Sequence, residues 1–171
     1  MEKINISHNH NKNQEIPSNI DAEQHLLGSV LVNNDIIDEI ANIIGSEKFY
    51  DPIHIKIYEV IENLNSKGMI ANPITLKNYF EKNQGLDEVG GVEYLVKLTR
   101  FSSSIKQAID YAKIVHENYV KRELIQISHN IKDDTLNTDE DKSSDMIIED
   151  AEKLLFDLAE RGSFSQSFMK F

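Results

Sequence analysis

Apolar residues recur at the spacing of α-helices along nearly the whole of this chain. No segment alternates apolar and polar residues at period two over a convincing length. The first helix is predicted to begin at Ser18 or Asn19, either of which is a suitable N-cap, and to run to about Val32. The pattern therefore predicts an all-α fold.

A compact head of about five helices is predicted over residues 18–103, behind a polar and disordered tail at 1–17. Pro52 and Pro73 suit the first turns of helices three and four, since proline lacks an amide that those turns leave unbonded. Helix two is predicted to reach Ile44, and Gly45 to close it. The apolar faces of helices two to five comprise Ile36, Ile37, Ile40, Ile43, Ile44, Ile53, Ile57, Tyr58, Val60, Ile61, Leu64, Leu76, Tyr79, Phe80, Val92, Leu95, Val96 and Leu98.

Two long helices are predicted after the head, because neither glycine nor proline occurs between Gly91 and Gly162. Helix six runs from about 105 to 132, and a polar hinge at 133–142 leads into helix seven. We expect an antiparallel helical hairpin over 104–161 whose apolar surface is wider than one contact face needs, so that it pairs with a second copy. The hairpin and dimer interface candidates are Tyr119, Leu124, Ile127, Ile147, Leu154 and Leu158.

Composition limits the possible partners. The formal net charge of this 171-residue chain is −11, and much of the acid lies between 133 and 152. Direct nucleic-acid binding is disfavoured, because neutralising phosphates requires a basic face. No apolar run is long enough for a membrane span and no signal peptide begins the chain, so we expect a cytoplasmic protein.

Motifs of catalysis are missing from the sequence, and we predict no catalytic, cofactor-binding or metal-binding residue. The segment 85–92 has spaced glycines but lacks the lysine and the Ser or Thr of a phosphate-binding loop. His8 and His10 could touch a metal, but no further ligand lies near them, which favours a mobile tail. A small helical enzyme stays a remote alternative that would need a polar pocket.

Short blocks of the chain, taken in order, resemble the N-terminal domain of DnaB, the hexameric replicative DNA helicase of bacteria. Their order and spacing over residues 19–161 make the resemblance specific. The matching residues are Ala22-Glu23-Gln24, Leu27-Gly28, Leu31, Phe49-Tyr50, His54, Ile57-Tyr58, Gly68, Ile74-Thr75-Leu76, Leu86, Val89-Gly90-Gly91, Tyr94-Leu95, Leu98, Tyr111-Ala112, Ile114-Val115, Arg122, Leu124-Ile125, Ala151-Glu152 and Phe156.

The resemblance implies a non-catalytic collar domain. In that family hairpins pair, three dimers build a collar, and the collar docks the C-terminal domain of DnaG primase, with a helicase loader as a possible further partner. Tyr94, Ile125 and Ile131 match positions tied to primase coupling, although each is equally compatible with a core role. Residues 162–171 would begin a linker to an absent RecA-like motor domain, where ATP and magnesium are expected.

The resemblance also implies that the chain is an enzyme only as part of a full-length ATP-dependent helicase. A free-standing helical adaptor without a motor is the alternative. A Gly-x-x-x-x-Gly-Lys-Thr/Ser sequence further along the parent reading frame would separate the two.

Overall fold

Helices account for all the regular structure in the part of the chain that the computed structural model describes, which is residues 15–83, 85, 87–137 and 142–162. The all-α prediction is confirmed. His8, His10, most of the predicted tail and nearly all of segment 162–171 lie outside the described residues. The seven α-helices are α1 (Ile20–Val32), α2 (Asp35–Ile40), α3 (Pro52–Ser66), α4 (Pro73–Lys82), α5 (Gly91–Thr99), α6 (Ile105–Leu136) and α7 (Ser144–Gly162).

Side-chain caps fix the starts of α1, α4 and α6 at positions that the sequence suggested, whereas α2 and α5 begin after Asn34 and Gly90 without one. The side chain of Asn19 accepts a hydrogen bond from the amide of Ala22 and so caps α1. Asn72 forms a reciprocal capping box with Thr75 at the start of α4. Ser104 caps α6 through the amide of Gln107. Two short 3-10 turns, at Ser46–Lys48 and Asp87–Val89, complete the regular structure that is described.

Two predicted helix ends differ from the structure. Helix α2 ends at Ile40 rather than Ile44, because the Ile40 carbonyl accepts the amides of both Ile43 and Ile44 at 2.8 and 2.9 Å. This tightened turn still buries both isoleucines in the core. Helix α6 continues beyond residue 132 to Leu136, and the amide of Asn137 donates to the Asp133 carbonyl in its last turn.

Helix α1 lies at the centre of the head, in contact with α2, α3, α5 and α6. Its contact with α5 is close because residue 28 is glycine: a Cβ there would lie 2.0 Å from the carbonyl oxygen of Leu98. Just before α6, the Ser29 hydroxyl accepts a hydrogen bond from the amide of Ser103 at 2.9 Å. Leu26, Leu27 and other α1 side chains fill the core between these neighbours.

The two long helices form an antiparallel hairpin. Near the turn, the Lys142 ammonium contacts Asp134 on α6 at 3.0 Å and Asp150 on α7 at 3.1 Å. At the other end, Nε2 of His116 lies 3.2 Å from the carbonyl oxygen of Gly162. The first half of α6 belongs to the head core, where Ala108, Ala112 and Val115 are buried. Among the described helices, none is both long and apolar enough to cross a membrane.

Candidate functional site

Tyr94 of α5 ends a chain of hydrogen bonds that crosses the head. Its hydroxyl lies 2.7 Å from Nε2 of His54 on α3 and 3.3 Å from Nε2 of Gln24 on α1. The other imidazole nitrogen, Nδ1, lies 2.6 Å from a carboxylate oxygen of Glu23. Three blocks that the sequence separates widely, at 23–24, 54 and 94, therefore meet at one place.

The Glu23 carboxylate is buried, with only 1% of the residue exposed. It accepts the backbone amides of Tyr50 at 2.5 Å and Asp51 at 3.3 Å in addition to the His54 contact. Buried carboxylates cost free energy unless they are satisfied in this way. The carboxylate thus ties the segment that precedes α3 to α1.

Both nitrogens of the His54 imidazole are occupied, and the ring is fully buried. In the tautomer that carries its proton on Nδ1, the imidazole donates to Glu23 and accepts the Tyr94 hydroxyl at Nε2, while Gln24 donates to the Tyr94 oxygen. Each donor in this set of hydrogen bonds then faces an acceptor. The arrangement positions Tyr94 and leaves His54 without a free nitrogen for proton transfer.

Tyr94 itself is half-buried and reaches the edge of the head. Burial raises the pKa of its hydroxyl, the Gln24 hydrogen bond lowers it, and the charges of Asp51 and Glu23 add to the increase. The phenol therefore stays neutral at physiological pH. A neutral hydroxyl on a partly exposed aromatic ring is a suitable contact for a protein partner.

The six interface candidates divide into two groups. Tyr119, Ile127 and Leu158 are buried within the protomer, so their side chains are not available to a second copy. Ile147 is half-buried, whereas Leu124 and Leu154 expose 44% and 38% of their surface. Only this second group offers apolar surface to another molecule.

The two other primase-coupling candidates lie on the outer half of α6. Ile125 is 40% exposed, and Ile131 is half-buried. Neither is part of the head core that contains Leu95 and its neighbours. The structure leaves both of them accessible along the same helix.

A groove of about 490 Å³ runs between α6 and α7. Its walls are His116, Glu117, Val120, Leu124, Leu155, Leu158, Ala159 and Gly162. Further apolar side chains are exposed elsewhere along α6 and α7: Ile105, Ile114, Ile125, Leu136, Met146, Ile148, Leu154 and Phe156. Exposed apolar surface of this extent is typical of a protein interaction site.

Sequence reasoning did not give roles to Glu23, His54 and Arg122, although all three stood in the matching blocks. One signal was available for Glu23, which shares the apolar stripe of α1 with Leu26 and Leu27 at helical spacing. A carboxylate on such a stripe needs a buried partner. The partner, His54, could not be identified without the fold.

The described residues contain no group of three or more side chains that could hold a metal ion.

Comparison with known proteins gives a consistent set of relatives. A family model described as "DnaB-like helicase N terminal domain" matches residues 15–117. The chain is similar to the replicative DNA helicase DnaB of Rickettsia bellii, with 41% identity over 155 residues that make up 91% of this chain and 31% of the relative. The DnaB of Rickettsia typhi is 40% identical over 169 residues, covering 96% of this chain and 34% of its own length.

Two solved structures share the fold. The N-terminal domain of DnaB helicase from Mycobacterium tuberculosis aligns with a TM-score of 0.74 and 24% identity, over 84% of this chain and 99% of that one. A DnaB-like replicative helicase, described together with its interactions with primase, aligns with a TM-score of 0.67 and 23% identity, over 87% of this chain and 32% of that one. The chain thus spans about a third of the length of its curated relatives.

Proposed function

This chain belongs to the family of DnaB-like helicase N-terminal domains, and on that premise we propose that it is a non-catalytic collar domain of a replicative helicase. In this role it pairs with copies of itself through the hairpin and docks a primase. The observation that carries the proposal is the exposed apolar surface of α6 and α7, which a single protomer leaves uncovered. Association of the hairpin with a second copy would remove this apolar surface from water and so lower the free energy.

Pairing through the hairpin is supported by where the exposed residues lie. Leu124 and Leu155 line the groove, Leu154 is 38% exposed on α7, and Phe156 leaves 64% of its surface exposed. Aromatic residues such as phenylalanine are enriched in the buried cores of protein interfaces, and those cores are more apolar than the rest of a protein's surface. We propose a homodimer as the basic unit, and three dimers as the collar of a hexamer.

Primase docking is supported by one structural neighbour, a DnaB-like replicative helicase that was described with its interactions with primase. In this chain we assign the docking role to Tyr94, Ile125 and Ile131. Tyr94 reaches the head surface with a fixed hydroxyl, and Ile125 lies exposed on α6. The C-terminal domain of the primase is the proposed partner, and a helicase loader is a further one.

ATP hydrolysis and DNA unwinding are assigned to a separate motor domain of the full-length cytoplasmic enzyme, which would hold ATP and magnesium. This chain would contribute assembly and recruitment, without cofactor and without direct nucleic-acid contact. A downstream phosphate-binding loop in the parent reading frame is the expected signature. Its absence there would instead favour an adaptor without a motor.

Sedimentation of the chain across the micromolar range tests pairing, and a mass of two protomers or more is expected. Calorimetric titration with the C-terminal domain of the matching primase tests docking, with Tyr94→Ala expected to weaken binding while helicity is retained. Val32→Ala is a matched control, since Val32 is 59% exposed on α1. A strict monomer would refute pairing, and unchanged affinity for Tyr94→Ala would remove Tyr94 from the docking site.

A further inference from the structure

Arg122, in the middle of α6, fastens the hairpin to two short stretches of the head, at Pro17 and at residues 48–50. One guanidinium nitrogen donates to the carbonyl of Pro17 at 2.8 Å, and the other donates to the carbonyl of Lys48 at 2.9 Å. The guanidinium also lies over the ring of Tyr50, 5.3 Å from its centroid. A planar fork with two carbonyl acceptors and an aromatic face is a geometry that lysine cannot reproduce.

The segment 48–51 also carries the two backbone amides that donate hydrogen bonds to Glu23. Tyr50 and Asp51 donate their backbone N–H groups to the Glu23 carboxylate, only a few bonds along the chain from the Lys48 carbonyl that Arg122 grips. Burial lowers the pKa of Arg122, and the negative charge of the Glu23 carboxylate opposes that change. The segment 48–51 is therefore held from both sides.

From Glu23 the contacts continue without a break to Tyr94. The carboxylate is hydrogen-bonded to Nδ1 of His54, and Nε2 of His54 is hydrogen-bonded to the Tyr94 hydroxyl. Because the imidazole is fully buried and the carboxylate nearly so, neither can turn to water if one partner moves. A displacement of segment 48–51 must alter the Tyr94 hydrogen bond.

We infer that Arg122 is a positioning residue for Tyr94, so that the placement of the hairpin is transmitted through segment 48–51, Glu23 and His54 to the docking residue. This inference rests on the proposed function of Tyr94.

The Tyr94 hydroxyl provides a direct readout. In the chain labelled with ¹³C at tyrosine Cζ, the resonance lost in Tyr94→Phe identifies residue 94, and its shift reports hydrogen bonding of the hydroxyl. Arg122→Lys removes the fork but keeps the charge, and Tyr50→Leu removes the ring while keeping the amide that Glu23 accepts. Both are expected to move the Tyr94 resonance. Lys121→Ala, at the adjacent exposed ion pair with Glu117, is the matched control and leaves it in place.

Affinity for the primase C-terminal domain then separates the inference from the function on which it rests. Arg122→Lys is expected to weaken binding about fivefold or more, the range of ordinary coupling between sites. A folded Arg122→Lys or Tyr50→Leu protein whose Tyr94 resonance matches the wild type overturns the positioning role. If the resonance moves but Tyr94→Ala binds the primase domain normally, Arg122 positions Tyr94 and the docking role of Tyr94 is wrong. If Tyr94→Ala binds the primase domain weakly and Arg122→Lys binds it normally, the inferred effect of Arg122 on docking is wrong.

Discussion

The hydroxyl of Tyr94 lies 2.7 Å from Nε2 of His54, and the two ring planes are within 6° of parallel. His54 is fully buried, whereas Tyr94 extends to the surface of the head. The contact therefore joins the interior of the domain to its outer face. A residue proposed to meet a partner protein is held in place by a histidine that the partner cannot touch.

Tyr94→Phe should lower the free energy of unfolding by about 1 to 3 kcal/mol, since it leaves the buried Nε2 of His54 without its partner. Chemical denaturation measures the change. Tyr79→Phe is the control, because the Tyr79 ring is partly buried and its hydroxyl has no hydrogen-bond partner among the described residues. Equal losses for the two variants would contradict the assigned contact.

Leu158→Asp and Leu154→Asp should behave differently, although both lie on one seam of α7. Leu158 is 3% exposed, so an aspartate there is buried without a partner and should destabilise the protomer by about 3 kcal/mol or more. Leu154 is 38% exposed, so its substitution should change protomer stability by about 0.5 kcal/mol or less while weakening self-association.

Thermal melting at low protein concentration and sedimentation at high concentration distinguish these outcomes. Leu154→Asp should melt like the wild type yet sediment with a lower mass. A Leu154→Asp protein that pairs normally would exclude this part of α7 from the dimer interface.

Gly28→Ala should destabilise the fold by about 1 to 3 kcal/mol, the cost of overpacking. Helix propensity alone predicts the opposite sign, since alanine is favoured over glycine within a helix by about 1 kcal/mol. Packing decides the sign, because the new Cβ would lie 2.0 Å from the backbone oxygen of Leu98, which cannot turn away. Gly85→Ala is the control, as its nearest neighbour, a Phe80 ring carbon, lies 3.4 Å away. Denaturation of both variants checks the sign.

His116 should make the domain less stable as the pH falls below about 6.5, the ordinary histidine pKa. Burial lowers the pKa of His116 in the folded chain, and the nearby charge of Lys48 lowers it further. The unfolded chain therefore takes up a proton at a higher pH than the folded chain, and stability falls with pH until the folded pKa is passed. Unfolding measured between pH 8 and pH 5 should show a smaller decrease in His116→Gln than in the wild type. Parallel profiles would contradict this assignment.

Local signals in the sequence were sufficient for the helices and for most of their ends. Asn19, Asn72 and Ser104 were readable as caps because a cap acts on amides only two or three residues away. The end of α2 was not readable, since Ile43 and Ile44 continue the apolar pattern beyond the last helical turn. Burial in the core, rather than helical geometry, keeps those two residues apolar.

The sequence by itself determined the helical class, the hairpin and the family, because periodicity, caps and ordered motif blocks are properties of neighbouring residues. Only the tertiary structure decided that Leu158 is buried while Leu154 is exposed on one seam. It also decided that Glu23, His54 and Tyr94 form one hydrogen-bonded chain. Such contacts join residues far apart in the sequence, and their geometry depends on how whole helices pack. No local pattern contains that information.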